Sequence, residues 1–164
     1  MRPLSSPVHE HRVLGRAEMA IGLVFLIIAS ALSPIDAIIG LFVVAPFLAV
    51  VLYVAVFRRV VRRLVAHPAP APTTDREDAG EYARRLRWPL AAEAVVFLGF
   101  TATTRAPGLL GGIALGAGVA LVLTARWLER WENAHDVGLL RESGPRRRTP
   151  DGGVTGGYYV ARGT

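Results

Sequence analysis

The sequence predicts an all-α integral membrane protein with four transmembrane helices, arranged as two helical hairpins with both termini cytoplasmic. Three observations carry that expectation. Charged residues are absent from four blocks, 19–33, 37–57, 94–104 and 106–125, and each, extended by interfacial residues, approaches the roughly 20 positions a helix needs to cross about 30 Å of hydrocarbon. Eighteen of the 19 basic residues fall in the N-terminal tail, the 58–87 connection or the segment from Arg126 onward, while the two short connections hold only Asp36 and Arg105. The positive-inside rule then places the arginine-rich segments in the cytoplasm. All three tryptophans, Trp88, Trp127 and Trp131, lie at the same interface, where an amphipathic ring is best accommodated.

Composition narrows the chemistry. With 52% hydrophobic residues and a mean hydropathy of +0.37, the chain could be one soluble domain or a small membrane bundle, and the distribution of its charges decides between them. It has no cysteine, which removes disulfides, thiolate metal sites, iron–sulfur clusters and cysteine nucleophiles together. Every basic residue is arginine, so a lysine Schiff base and a P-loop are also excluded. A net charge of +6 would suit nucleic acid, but the arginines flank the apolar blocks, and anionic headgroups explain them better. The bias to Arg, Ala and Gly fits a GC-rich bacterial genome. The expected location is therefore the bacterial cytoplasmic membrane, crossed several times.

Residues 1–16, with two prolines and three arginines, are expected to form a cytoplasmic tail. His9 and His11 flank Glu10 there, but without further ligands at suitable spacing they read as solvated side chains, and no metal or other cofactor is expected. The first helix is expected over 17–33. Its Ala29-Ser30-Ala31 ending resembles a signal-peptidase site, but the long preceding segment and the boundary Glu18 favour retention. Pro34-Ile35-Asp36 is expected to turn outside, with a second helix over 37–57. Pro46 should kink it, because the carbonyl of Phe42 loses its donor and must be satisfied by a neighbour, a hydroxyl or local 3₁₀ geometry.

Arg58-Arg59-Val60-Val61-Arg62-Arg63 is expected to continue that helix to 66 at headgroup level, with about 1 kcal/mol per arginine from an anionic leaflet. Residues 67–87 read as a linker: a short polyproline spacer from His67 to Pro72, then a short helix opened by a Thr74/Glu77 capping box. Pro89 suits the first turn of the third transmembrane helix, and Arg105-Ala106-Pro107 the second outer turn. The second hairpin with its cytoplasmic extension is expected over 88–133, where Gly138 stops the helix. The basic tail, 134–164, includes Arg146-Arg147-Arg148, and a short strand over 154–160 is an alternative to a loop there.

The glycine-rich stretch after Pro107 is the expected packing centre. Gly108, Gly112 and Gly116 make two successive GxxxG steps, continued by Ala120 and Thr124, and small residues in that register let helix backbones approach where lipid provides no hydrophobic drive. With Gly111 and Gly118, these glycines fall within roughly 160° of one another at 100° per residue. Leu109, Leu110, Ile113, Ala114, Ala117 and Leu121 are left to the other side.

A weak internal repeat relates the hairpins. Glu18, Leu23 and Phe25 match Glu93, Leu98 and Phe100 in spacing, and each set is followed by a turn proline, Pro34 or Pro107, as in a parallel repeat about an axis along the membrane normal. Glu93 lies five residues past Trp88, or roughly 7 Å of rise below the interface. An ionisable group at that depth is a functional candidate by default, and Glu93 with Glu18 forms the candidate ion or proton site; an ion pair with interfacial arginines is the bland alternative. Trp88, Trp127, Trp131, Arg58, Arg59 and Arg126 are the candidate interfacial anchors. No nucleophile, base and orienting acid occur together, so no enzyme is expected. The first expectation is a structural or accessory subunit acting by helix–helix interaction, its partners an anionic bilayer and a membrane protein or a second copy. The alternative is a small oligomeric proton- or cation-coupled transporter using Glu93.

Overall fold

The computed structural model describes residues 4–65, 69–70, 79–104, 106–142 and 158–162. The elements run β1 (Leu4–Ser5), α1 (Pro7–Leu32), α2 (Pro34–Ile39), a π-helical turn (Gly40–Val44), α3 (Ala45–Val65), β2 (Ala69–Pro70), α4 (Ala79–Thr104), α5 (Pro107–His135), β3 (Val137–Glu142) and β4 (Tyr158–Arg162). The chain is predominantly α-helical. Among the described residues, three segments are long and apolar enough to cross a membrane: Pro7–Leu32, Pro34–Arg62 and Pro107–His135. The third expected crossing, in α4, does not reach the same apolarity, because Arg87 and Glu93, with Trp88, Pro89 and the threonines near its end, dilute it.

Helix α1 starts ten residues before the expected position. Ser6 caps it by accepting from the His9 N–H at 3.4 Å, Pro7 occupies the first turn and Glu10 is its acidic residue, a combination of start signals that outweighs the polar composition. The expected tail is therefore mostly helix. Ser33 then ends α1 and begins α2 in one extended residue (φ −154°, ψ 91°), donating its N–H to the Ala29 carbonyl. Asp36 consequently lies inside α2 rather than in an outer turn.

The region before Pro46 relaxes in the opposite sense from 3₁₀ tightening. Gly40–Val44 widens to a π turn, and the Ala45 N–H reaches back to the Gly40 carbonyl, the kind of local bulge by which a helix absorbs a missing donor. Pro89 sits within α4, which begins at Ala79, so the expected short helix and third transmembrane helix are one element. The Thr74/Glu77 box, the spacer from His67 to Pro68, Ala71 to Pro72, Arg105 and Arg146-Arg147-Arg148 lie outside the described residues.

Helix α5 ends at His135, three residues before Gly138. Asp136 adopts the left-handed conformation (φ 48°) and donates its N–H to Glu132, a helix stop that Asp tolerates better than most non-glycine residues. The chain then enters a small sheet of order β1-β3-β4-β2. Its β1/β3 and β3/β4 pairs are antiparallel, with Leu139 opposite Val160, and β2 joins β4 in parallel, with Pro70 opposite Val160. Pro70 stands on an edge strand, where a residue without an N–H is tolerated. The expected helical class therefore carries a four-stranded cap, and the tail residues 158–162 are strand.

Helix α5 is the centre of the molecule. Its apolar window is 56% buried, against 28% for α1 and 17% for α2–α3. At the arginine-rich end, Val8 of α1, Val60 of α3, Leu128 of α5 and Leu139 of β3 form a side-chain core, flanked by Val56, Trp127 and Trp131.

Candidate helix-packing site and carboxyl pair

The glycines of α5 form two grooves. At 100° per residue, Gly111 and Gly118 share one direction, and Gly108, Gly112 and Gly116 centre on another, roughly 110° away. Each groove holds a different helix. In the first, Gly111 faces Gly22 and Gly118 faces Gly15 of the antiparallel α1; a Cβ on Gly118 would lie 2.6 Å from the Gly15 oxygen, and one on Gly15 would lie 2.8 Å from the Gly118 oxygen. Gly15 and Gly22 are seven residues apart, as are Gly111 and Gly118. This matched spacing keeps both contacts in register along one seam.

The second groove takes α2, the π turn and the start of α3, running parallel to α5. A Cβ on Gly108 would overlap the Asp36 carbonyl, one on Gly112 the Gly40 carbonyl, and one on Gly40 the Gly108 carbonyl; at Gly116 it would come 2.6 Å from the Ala45 oxygen. In almost every case the obstacle is a carbonyl oxygen, so the glycine Cα–H points at an acceptor. Such contacts contribute perhaps 0.5–1 kcal/mol each and recur where helices approach this closely. Ala120 is 1% exposed and continues the register. Thr124 is fully buried and donates to the Ala120 carbonyl at 2.8 Å, which satisfies its hydroxyl within α5.

Asp36 completes the second groove. Ala106 provides no side-chain cap for α5, and the Gly108 N–H donates instead to Asp36 Oδ2 at 2.6 Å. An aspartate from α2 thus caps α5 from outside its own sequence. Sequence reasoning placed Asp36 only in a turn; the available signal was Pro107 at the helix start behind an alanine that cannot cap. Gly15, Gly22 and Gly40 were also missed, although the seven-residue spacing of Gly15 and Gly22 was readable.

Glu18 on α1 and Glu93 on α4 are close enough to act on each other electrostatically. Both residues are partly buried. The same two helices touch through Phe25 and Phe97, whose rings meet edge to face at 5.5 Å and 77°. Phe97, rather than the repeat-matched Phe100, makes that contact. Beyond it, α4 is open: Val95 and Val96 are 67% and 66% exposed, and a Cβ on Gly99 would meet nothing within 4 Å.

The interfacial candidates divide into two groups. Trp88 is 83% exposed, and Arg58, Arg59 and Arg126 are exposed. Trp127 packs edge-on against Phe57 at 4.9 Å, and Trp131 stacks on His135 at 4.2 Å; these two support the cap from its rim. Under the sheet, the Glu10 carboxylate receives the Arg141 guanidinium and the Ser5 hydroxyl, and Glu132 accepts the Leu139 N–H at 2.6 Å. His11 Nδ1 bonds the Pro7 carbonyl at 2.6 Å. Glu10 and His11, read from sequence as solvated, therefore belong to this cap. Among the described residues there is no group of three metal-ligating side chains.

No known protein family, curated protein or solved structure matches the chain. The site's meaning rests on its geometry.

Proposed function

We propose that this is a multi-pass protein of the bacterial cytoplasmic membrane, with four crossings and both termini cytoplasmic, acting through helix–helix interaction as a structural or accessory subunit. One observation carries the reading: the glycine grooves of α5 are filled from within the chain, whereas α4 is left with an open apolar face. In this reading α4, and not the already filled glycine face of α5, offers the interaction surface. Ala92 and Gly99, both exposed, repeat the seven-residue small-residue spacing by which α1 docks on α5. A transmembrane helix of a partner can approach α4 in the same manner. The exposed arginines Arg58, Arg59 and Arg126 face anionic headgroups in this reading.

Photocrosslinking from Val96 in cells is expected to give an adduct of one discrete mass, which identifies either a second copy or another membrane protein, and Gly99→Leu is expected to remove it. Lipid adducts alone, or an undiminished adduct in Gly99→Leu, would overturn the reading. Reporter fusions after Pro34 and Pro107 are expected to report outside, and those after Pro72 and Thr164 inside; a cytoplasmic report at Pro107 would overturn the four-crossing reading by removing the crossing in α4. The proximity of Glu18 to Glu93 favours a second reading, proton- or cation-coupled transport, for which Glu93→Gln should abolish flux in liposomes while leaving assembly intact.

A further inference from the structure

We propose that the outward face of α3 is a binding site for one anionic phospholipid, its phosphate held by Arg58 and Arg62 and an acyl chain laid along Val54, Val51 and Phe47. The inference rests on the reading that places the arginine-rich end of the bundle at a headgroup layer, and it names the lipid chemistry that one helix takes from that layer.

The direction of α3 is fixed by what it buries. Val60 is 3% exposed in the side-chain core with Leu128, Val56 flanks that core, and Phe57 packs on Trp127 at 4.9 Å, so this side of the helix is taken by α5. At 100° per residue, Phe47, Val51, Val54, Arg58 and Arg62 fall within roughly 80° of one another on the side opposite Val56 and Val60. All five are exposed. The stripe changes from apolar to cationic once, between Val54 and Arg58. From Phe47 to Arg58 the helix rises about 16 Å, close to half of the roughly 30 Å of hydrocarbon that two leaflets make together. It therefore has the dimensions of one acyl chain under one headgroup.

Charge selects the lipid. Helix α3 carries Arg58, Arg59, Arg62 and Arg63 and no acidic residue from Ala45 to Val65. Among the described residues, the ion pairs join Arg12 to Glu129 and Arg141 to Glu10, and none reaches Arg58, Arg59 or Arg62. The other helices mix their arginines with acids. Arg12 and Arg16 lie between Glu10 and Glu18 on α1, Arg84, Arg85 and Arg87 between Glu81 and Glu93 on α4, and Arg126 and Arg130 flank Glu129 on α5. Only α3 gathers positive charge without compensation, and like charges at helical spacing repel unless an anion lies between them. Arg58 and Arg62 stand at i and i+4, with about 5–6 Å between Cβ atoms, so two guanidinium forks can converge on one phosphate, a group they match bidentately. A zwitterionic headgroup brings its own cation and would leave the excess charge in place.

The test is native mass spectrometry of the full chain in mild detergent, titrated with phosphatidylglycerol or with phosphatidylcholine of the same acyl chains. One phosphatidylglycerol is expected to bind at least about tenfold more tightly than phosphatidylcholine, a preference that two arginines near an anionic group can supply. Arg58→Gln/Arg62→Gln should abolish that preference. Arg126→Gln/Arg130→Gln on α5 removes the same charge and should keep it, and excess inorganic phosphate should not displace the lipid, because it has no chain to lay on the stripe. Size exclusion checks that both double variants fold, and the comparison of the two lipids on the unmodified chain decides the matter without them.

Equal binding of the two lipids would overturn the site, as would equal losses in the two double variants, which would mean a diffuse attraction of all the arginines. Displacement by phosphate would overturn it too, since the face would then read the anion without the chain. The measurement is independent of orientation and of any partner. An outside report from a fusion after Pro72 would sink the topology and leave the site standing, whereas a lipid-blind α3 would sink the site whatever the fusions report.

Discussion

The two ends of this bundle are held by opposite means. Through its apolar half, α5 meets its neighbours by removing side chains: Gly111 on Gly22, Gly118 on Gly15, Gly112 on Gly40. At the arginine-rich end the same helix meets them by supplying side chains, Leu128 against Val8, Val60 and Leu139. The difference follows the solvent each end is suited to. In water, burying leucine and valine is itself a driving force. In hydrocarbon it is not, and close backbone approach remains the available source of attraction. One helix, read along its length, changes its packing rule where Thr124 gives way to Arg126.

The sharpest way to break that comparison is to add volume at the glycine end. Gly112→Leu would drive a side chain into the Gly40 backbone, which cannot move as a flexible side chain could. Overpacking typically costs about 1–3 kcal/mol and more where backbone is the obstacle. We expect loss of a monodisperse folded species in detergent, measured by size exclusion and thermal melting. Gly99→Leu on α4 is the control and should melt like wild type. Equal behaviour of the two would mean that the grooves do not hold the helices.

The cap should fail by removal rather than by addition. Leu139 is 1% exposed beneath the sheet, and Leu139→Ala is expected to cost about 2–5 kcal/mol locally. Hydrogen exchange should then accelerate at β3 and β4 amides and leave the α1–α5 seam protected. If the whole bundle opened together, the two ends would be a single cooperative unit and the contrast between them would have no energetic meaning.

How much of this was legible in the sequence follows the same division. The glycine register was readable because GxxxG spacing is local to one helix, and Gly108, Gly112, Gly116 and Ala120 all lie in close contacts. That five glycines form two grooves was not readable from α5 alone, since the split is defined by the partners Gly15, Gly22 and Gly40 on other elements. The cap was largely invisible. Strands β1 and β2 are two residues each, far too short for an alternating pattern, and Glu10 looked solvated because its partner Arg141 is 131 residues away. The approach of Glu18 and Glu93 was also non-local, although the repeat had singled out both residues.

A smaller effect is expected at the far end of the second groove. Asp36→Ala removes the acceptor for the Gly108 N–H, and the loss of a helix N-cap costs about 0.5–2 kcal/mol. Asp36→Asn should recover most of it, because an amide oxygen still accepts. Thermal melts of the two variants separate a capping role from a purely electrostatic one: equal losses would mean that the negative charge matters and the hydrogen bond does not.

The smallest expected effect tests whether ion pairs contribute to the cap as its leucines do. Arg12 bridges α1 to Glu129 of α5 at 2.8 Å, but the two side chains are 35% and 46% exposed. Water and salt screen such a pair, and exposed pairs are worth about 0–1 kcal/mol. Glu10 with Arg141 is the opposite case, because the Glu10 side chain is only 4% exposed, so removing Arg141 leaves a buried carboxylate without its main partner. Glu129→Gln should therefore shift the melting temperature barely at all, and less still in high salt, whereas Arg141→Met should destabilise the cap measurably at any salt concentration. A Glu129→Gln loss as large as that of Arg141→Met would mean that the α1–α5 seam is fastened at its arginine-rich end by charge, and that the side-chain core of Val8, Val60, Leu128 and Leu139 is secondary to it.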